Sequence, residues 1–308
     1  MITAENLRKT YGTHVALDGI SFSIREGEFY GLLGPNGAGK TTTISIISSI
    51  LDPDSGSVTI SGMDLAKNKI ACKRLIGVVP QEIALYDRLS AQENLMFWGS
   101  LYGVDKATLL KRSEETLKLL GLYDRKDDKV KTYSGGMKRR INIASALLHE
   151  PKILFMDEPT VGIDPQSRNL IFDVVEKLHK DGMTIVYTTH YMEEAERFCD
   201  RIGIIDKGKI ISEGTVQELR EFSKIKESIM IRFNGLDAEK ENRIREKLTG
   251  DFTLADSTLT FFSNNVQADM PKLIMQCSEL GLEFSHIDIS KVNLETIFLH
   301  LTGKQLRD

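Results

Sequence analysis

The segment Gly34-Pro35-Asn36-Gly37-Ala38-Gly39-Lys40-Thr41, followed by Thr42, places three glycines, a lysine and a hydroxyl in the spacing GxxxxGK[ST]. Glycines at these intervals let successive backbone N–H groups turn inward. The ammonium of Lys40 can then reach β and γ phosphates, and the Thr41 hydroxyl can ligate Mg²⁺. A phosphate cradle of this kind needs a second metal carboxylate on a neighbouring strand. The run Ile153-Leu154-Phe155-Met156-Asp157-Glu158 supplies four apolar residues ending in two acids. Burial of the apolar part carries Asp157 to the strand's carboxyl end, where it can hold Mg²⁺, and puts Glu158 next to it, where it can polarise an attacking water. Read alone, the same run is an apolar strand ending in exposed acids.

The elements around these residues fit the chemistry. Phe29–Leu33 is an apolar run suited to a strand buried on both faces, and Lys40–Ile50 continues with helical spacing, giving strand, glycine loop and helix. Ile2–Arg8 and Ile20–Ile24 alternate as strands with turns at Gly12 and Gly19. Ala91–Tyr102 and Lys106–Leu120 predict a helical subdomain over about 85–148, and Ile141–Leu148 predicts a further helix. The strand Lys152–Met156, a helix from about Gln166 to Lys180 and the strand Thr184–Tyr187 complete the alternation. At Ser223 the composition shifts through Lys224-Ile225-Lys226-Glu227, which sets the expected boundary between the α/β domain that carries the phosphate loop, 1–222, and an accessory α+β domain, 223–308. The latter reads as strand, helix, two strands, helix and strand, the β-α-β-β-α-β order of a ferredoxin-like sandwich, with a last helix at Leu294–Leu301.

The length of 308 residues accommodates two domains, and 41% hydrophobic residues suffice for a core in each. Lys plus Arg number 40 against 44 Asp plus Glu, a net charge of −4, so nonspecific nucleic-acid binding is not expected. No apolar stretch reaches the 18 or so residues of a membrane span, and MITAENLRKT lacks the apolar core of a signal peptide, which predicts a soluble, cytosolic chain. The cysteines Cys72, Cys199 and Cys277 have no CxxC spacing and predict neither a disulfide framework nor a zinc site.

Between the phosphate loop and the acidic strand lies Tyr133-Ser134-Gly135-Gly136-Met137, then Lys138-Arg139-Arg140. In this position Ser134-Gly135-Gly136 resembles the signature motif of ATP-binding-cassette (ABC) ATPases. Gln81, after Val78-Val79-Pro80, is similar to the Q-loop residue, and Val161-Gly162-Ile163-Asp164 to the D-loop. His190, in Thr188-Thr189-His190, is similar to the switch histidine, and Tyr11 to the aromatic residue that stacks on adenine. Singly each has a plain structural reading; in family order over about residues 1–220 they form one set. No guanine-reading NKxD occurs at a suitable place, which favours ATP over GTP. The sequence departs from the family's common pattern at Tyr133 and Met137, where Leu and Gln are usual, and at Val161 and Ile163 in the D-loop. YSGGM, TVGIDPQSR and the closing Asn293–Gly303 resemble the ATPase subunits of ABC-2 type exporters of the daunorubicin and multidrug class.

The resemblance implies a P-loop ABC fold with a mixed-sheet core, a helical subdomain and an antiparallel β subdomain. It also implies a head-to-tail dimer with ATP and Mg²⁺ at the seam. Tyr11 and Gly34 to Thr42 of one chain and Ser134, Gly135 and Gly136 of the other would hold each ATP, with Mg²⁺ on Thr41, Gln81 and Asp157. Glu158 would be the general base or water orienter, Lys40 and His190 would contact the γ-phosphate, the catalytic Gln81 would link the helical subdomain to the core, and Asp164 would couple the two sites. An exporter also implies an integral membrane permease, with this chain peripheral on the inner face of the cell membrane and Glu82–Leu95 pressed against that partner. Two other classes stay open: a soluble ABC ATPase of DNA maintenance or translation, disfavoured by the short helical insert and lack of a basic patch, and a regulatory ATP sensor whose C-terminal unit binds a ligand or dimerises.

Overall fold

The computed structural model describes residues 1–290 and 292–302. Gly303, the last residue of the closing motif, lies outside the described residues, as do 304–308 of the accessory domain. The chain divides into two compact units after Val216. The composition shift at Ser223 instead marks the far end of the helix that begins there.

In chain order the first unit contains β1 (Ile2–Tyr11), β2 (His14–Ile24), β3 (Phe29–Leu33), α1 (Lys40–Ile47), β4 (Ser55–Ile60), β5 (Met63–Asp64), α2 (Lys69–Arg74) and β6 (Ile76–Val79). The helices α3 (Ala91–Ser100), α4 (Lys106–Leu119) and α5 (Gly135–Leu147) follow, then β7 (Ile153–Asp157), α6 (Pro165–Lys180), β8 (Thr184–Thr189), α7 (Met192–Phe198), β9 (Arg201–Asp206) and β10 (Lys209–Gly214). The central sheet has the order β10-β9-β3-β8-β7-β6, parallel except for the β9–β10 hairpin. β3, β7 and β8 are buried along their whole length, as their apolar runs require.

This order positions the site. In a parallel sheet all carboxyl ends share one edge, where ligands bind. β3 runs into the glycine loop, β8 into His190, β7 ends at Asp157, and β6 leads through Pro80 to Gln81. These four strands are neighbours in the sheet, so residues far apart in sequence meet at one edge. A second, antiparallel sheet, β2-β1-β4-β5, packs its apolar face into the same core and brings the β1–β2 turn, with Tyr11 and His14, toward that edge.

The helical subdomain opens with a complete capping box: Ser90 accepts from the Glu93 N–H at 3.1 Å, and the Glu93 carboxylate accepts from the Ser90 N–H at 2.7 Å. α5 begins at Gly135, ahead of the helix expected from Ile141, because Ser134 caps it despite the weak helix propensity of two glycines. No described helix is long and apolar enough to cross a membrane.

The second unit opens with α8 (Val216–Ser223), followed by β11 (Glu227–Phe233), α9 (Ala238–Lys247), β12 (Asp251–Ala255), β13 (Thr258–Ser263), α10 (Val266–Glu279), β14 (Phe284–Ser290) and α11 (Leu294–Thr302). Its sheet is antiparallel throughout, in the order β12-β13-β11-β14. Ile229, Ile231, Phe233 and Leu259 meet Ile244, Leu273 and Cys277 of the helices in a separate core.

Candidate active site

A cleft of about 420 Å³ opens at the carboxyl edge of the central sheet. Of the residues expected from sequence, Tyr11, Asn36, Gly37, Gly39, Lys40, Thr41, Thr42, Gln81, Glu158 and His190 line it. Val161 of the D-loop lines it as well, and so do His14 and Ala16, which no motif marks. Gly34, Pro35 and Ala38 form the back of the loop. A Cβ at Gly34 would stand 2.2 Å from the Ile205 carbonyl oxygen, so the loop lies flat on β9 only because that residue has no side chain. Gly39, at φ 111°, adopts a conformation closed to L side chains and turns the loop into α1.

Glu158 is the hub. Buried at 5% exposure, its carboxylate lies 2.9 Å from Lys40 Nζ and 3.4 Å from His190 Nδ1, and accepts from Gln81 Nε2 at 3.3 Å. Lys40 also donates to the carbonyls of Gly34 at 2.7 Å and Pro35 at 3.1 Å, so its charge is held inside the loop. Glu158 itself sits at φ 43°, a left-handed backbone that costs roughly 1–2 kcal/mol in a non-glycine residue. Its N–H offsets this by donating to the Thr188 hydroxyl at 2.9 Å and the Thr188 carbonyl at 3.2 Å. The same hydroxyl donates to Asp157 Oδ1 at 2.6 Å, which fixes the two acids relative to each other. Asp157 lies buried behind the cleft lining.

Ser134, Gly135 and Gly136 do not line this cleft. Ser134 is exposed and caps α5, its Oγ accepting from the Met137 N–H at 3.2 Å. Gly135 faces open space, with no heavy atom within 4 Å of a Cβ placed there, whereas a Cβ on Gly136 would come 2.1 Å from Ser167 Oγ. The starts of α5 and α6 are therefore pressed together. Asp164 caps α6 by accepting from the Ser167 N–H at 2.9 Å, and this hydrogen bond holds its carboxyl below the usual carboxylate range. Gly136→Ala is expected to force these helices apart and cost about 1–3 kcal/mol by overpacking, while Gly135→Ala leaves stability nearly unchanged. Thermal melts of the two variants check this; equal melting temperatures would contradict the packing account.

Tyr133, at the signature's variant first position, is buried and donates to the Arg125 carbonyl at 2.5 Å, and the Arg125 guanidinium lies over its ring. It is thus a structural anchor of the preceding loop. Thr188 and Glu194 were not singled out by sequence. Glu194 is buried and accepts hydroxyls from Thr160, Tyr187 and Thr189 at 2.7–2.9 Å, which ties the segment after Glu158 to the strand end before His190. The adjacent hydroxyls of Thr188 and Thr189 at the end of an apolar strand were the available signal.

A family profile described as ABC transporter matches residues 17–161. The linearmycin resistance ATP-binding protein of Bacillus subtilis is 46% identical over all of both chains. The Nod factor export ATP-binding protein I of Ralstonia nicotianae is 37% identical, covering 100% of this chain and 95% of its own. The daunorubicin/doxorubicin resistance ATP-binding protein of Streptomyces peucetius is 36% identical, with coverage of 100% and 94%. Among solved structures, a dimeric ATP-binding cassette in a post-hydrolysis state with ADP and Pi matches at a TM-score of 0.64 and 30% identity, over 70% of this chain and 98% of that one. The loop, the acidic strand end and the signature helix thus occur in a chain that belongs to the ATP-binding subunits of ABC transporters, in the ABC-2 exporter subfamily of the daunorubicin and multidrug resistance type, and that binds and hydrolyses ATP.

Proposed function

We propose that two copies of this chain close on two ATP molecules and drive export of a drug, antibiotic or lipid-like solute through a separate membrane permease. One observation carries the two-copy reading: the cleft contains the phosphate loop, Gln81, Glu158 and His190, while Ser134 and the open face of Gly135 lie outside it. A helix N-terminus with an exposed cap and a bare glycine suits an anion brought from another surface. Two such half-sites related by a two-fold axis complete each other.

In the closed site Tyr11 and the loop Gly34–Thr42 hold the nucleotide, and Lys40 exchanges its contacts with Glu158 and the loop carbonyls for phosphate oxygens. Glu158, released from Lys40, accepts a proton from the attacking water, and His190 holds the γ-phosphate side of the cleft. Asp164 passes closure from one site to the other. Thr41, Gln81 and Asp157 offer hydroxyl, amide and carboxylate oxygens, a donor set that fits Mg²⁺. When bound, Mg²⁺ supplies positive charge to the phosphates.

The permease contact is supported by an apolar groove of about 290 Å³ beside the Gln81 segment, with Val78, Pro80, Ala84, Trp98 and Tyr102 among its lining. Ile50 is 65% exposed at this groove and Leu101 64% exposed just after α3, and Tyr86, exposed, packs edge-on against Phe97 with centroids 5.0 Å apart. Exposed apolar side chains in one area mark an interaction site, and a groove of this shape suits an amphipathic helix. The relatives named for linearmycin and daunorubicin/doxorubicin resistance and for Nod factor export support an exported solute.

The test is isolation of the tagged chain from detergent-solubilised membranes of its own cell, with mass spectrometry of what accompanies it. A polytopic membrane protein is expected, and its recovery should fall at least several-fold for Tyr86→Glu. Recovery of soluble proteins or nucleic acid alone would contradict the exporter reading.

A further inference from the structure

The basic triplet after the signature is a set of latches. Lys138 Nζ pairs with Asp87 at 2.7 Å, Arg140 donates to the Leu120 carbonyl at 2.8 Å, and Arg139 donates to the carbonyl of Pro80 at 2.6 Å and to that of Gln81. One turn on, Asn142 accepts from the Ala84 N–H at 3.3 Å and donates to the Glu82 carbonyl at 3.4 Å. Arg139 and Asn142, three residues apart, present one face of α5 to the chain from Pro80 to Ala84. Arg139 is buried at 3% exposure, and both of its bonds are charge-assisted.

From this geometry we infer that Arg139 is a positioning residue that couples the two halves of the machinery. It ties the Gln81 segment, whose side chain contacts Glu158, to the helix whose N-terminus presents Ser134 and Gly135. The inference rests on the two-copy reading above. When Gln81 moves with the contents of the cleft, the guanidinium carries α5 with it. Closure of one chain's phosphate site then sets the angle at which its signature meets the partner's. Lys138 extends the same link to Asp87, next to Tyr86. A Gln at 139 cannot span two carbonyls with a charged fork, so the segment and the helix would move independently.

The experiment uses the full chain carrying Glu158→Gln, with sedimentation velocity reading dimer against ATP concentration. Adding Arg139→Gln is expected to raise the ATP concentration at the dimer midpoint roughly tenfold or more. ATP affinity of the monomer, read with a fluorescent analogue in the Ser134→Arg background, should change less than about twofold. A merely structural role would lower monomer affinity and dimer formation together and would overturn the inference. An unshifted midpoint overturns it as well. If Arg139→Gln does not fold, Asn142→Ala, which removes the bonds to Glu82 and Ala84, is expected to shift the midpoint in the same direction by a smaller factor, and no shift overturns the proposal. Failure of Glu158→Gln alone to dimerise would sink the two-copy reading itself, a result distinct from a dimer that ignores residue 139.

Discussion

Glu158→Gln is expected to lower ATP turnover by roughly 10²–10⁴-fold while leaving ATP binding intact, because a general base contributes a factor of that order. The amide keeps the shape of the carboxylate and cannot take a proton from water. It also removes the charge facing Lys40 Nζ at 2.9 Å, so the lysine no longer has to leave an ion pair to reach phosphate. With one cost of closure removed and hydrolysis blocked, the ATP-bound dimer should accumulate. Phosphate release and sedimentation in ATP against ADP measure both effects. Turnover at the wild-type rate would remove Glu158 from its role, and loss of binding would show that the carboxylate serves the loop's structure instead.

Ser134→Arg is expected to abolish turnover, to below about a hundredth of wild type if closure of the seam is required, with each chain still binding ATP. Ser134 is exposed and lies outside the cleft of its own chain, so the longer side chain enters solvent and leaves that chain's phosphate loop untouched. The substitution does remove the cap of α5, costing about 1 kcal/mol. Ser134→Ala loses the same cap without adding bulk, and its far milder effect on turnover separates the two causes. Equilibrium dialysis and an ATPase assay suffice. Full activity in Ser134→Arg would place the signature outside the reaction.

Much of this site was legible before the structure, because its parts are coded by local rules. An apolar run, a glycine loop and helical spacing mark β3, the cradle and α1, and β7 announces Asp157 and Glu158 by ending an apolar run in two acids. The family order supplied Tyr11, Gln81 and His190. What stayed hidden is of two kinds. Short or weakly patterned elements escaped: α2 spans only six residues, and β4, Ser-Gly-Ser-Val-Thr-Ile, reads as a turn until it pairs with β1. The first turn of α5 escaped because glycines argue against helix, and packing on Ser167 with a Ser134 cap overrides them. Contacts between distant segments, to side chains and to backbone, also left no trace in the sequence. That Glu158 is the shared partner of Lys40, Gln81 and His190, and that Arg139 grips the carbonyls of Pro80 and Gln81, depend on register and rotamer, which residue types alone do not specify.

The central claim, that each ATP lies between the phosphate loop of one chain and the signature of another, is tested most directly by cross-linking a mixture. One population carries Asn36→Cys, whose parent residue is exposed in the cleft, and the other Ser134→Cys; both carry Glu158→Gln, and the native cysteines are buried. In a two-fold dimer the new thiols face each other only when the populations are mixed. The account predicts a covalent dimer with a short bismaleimide in the mixture with ATP, and little in either population alone or without nucleotide. A mixture that stays monomeric in ATP, or dimers equally abundant in each population by itself, would contradict it.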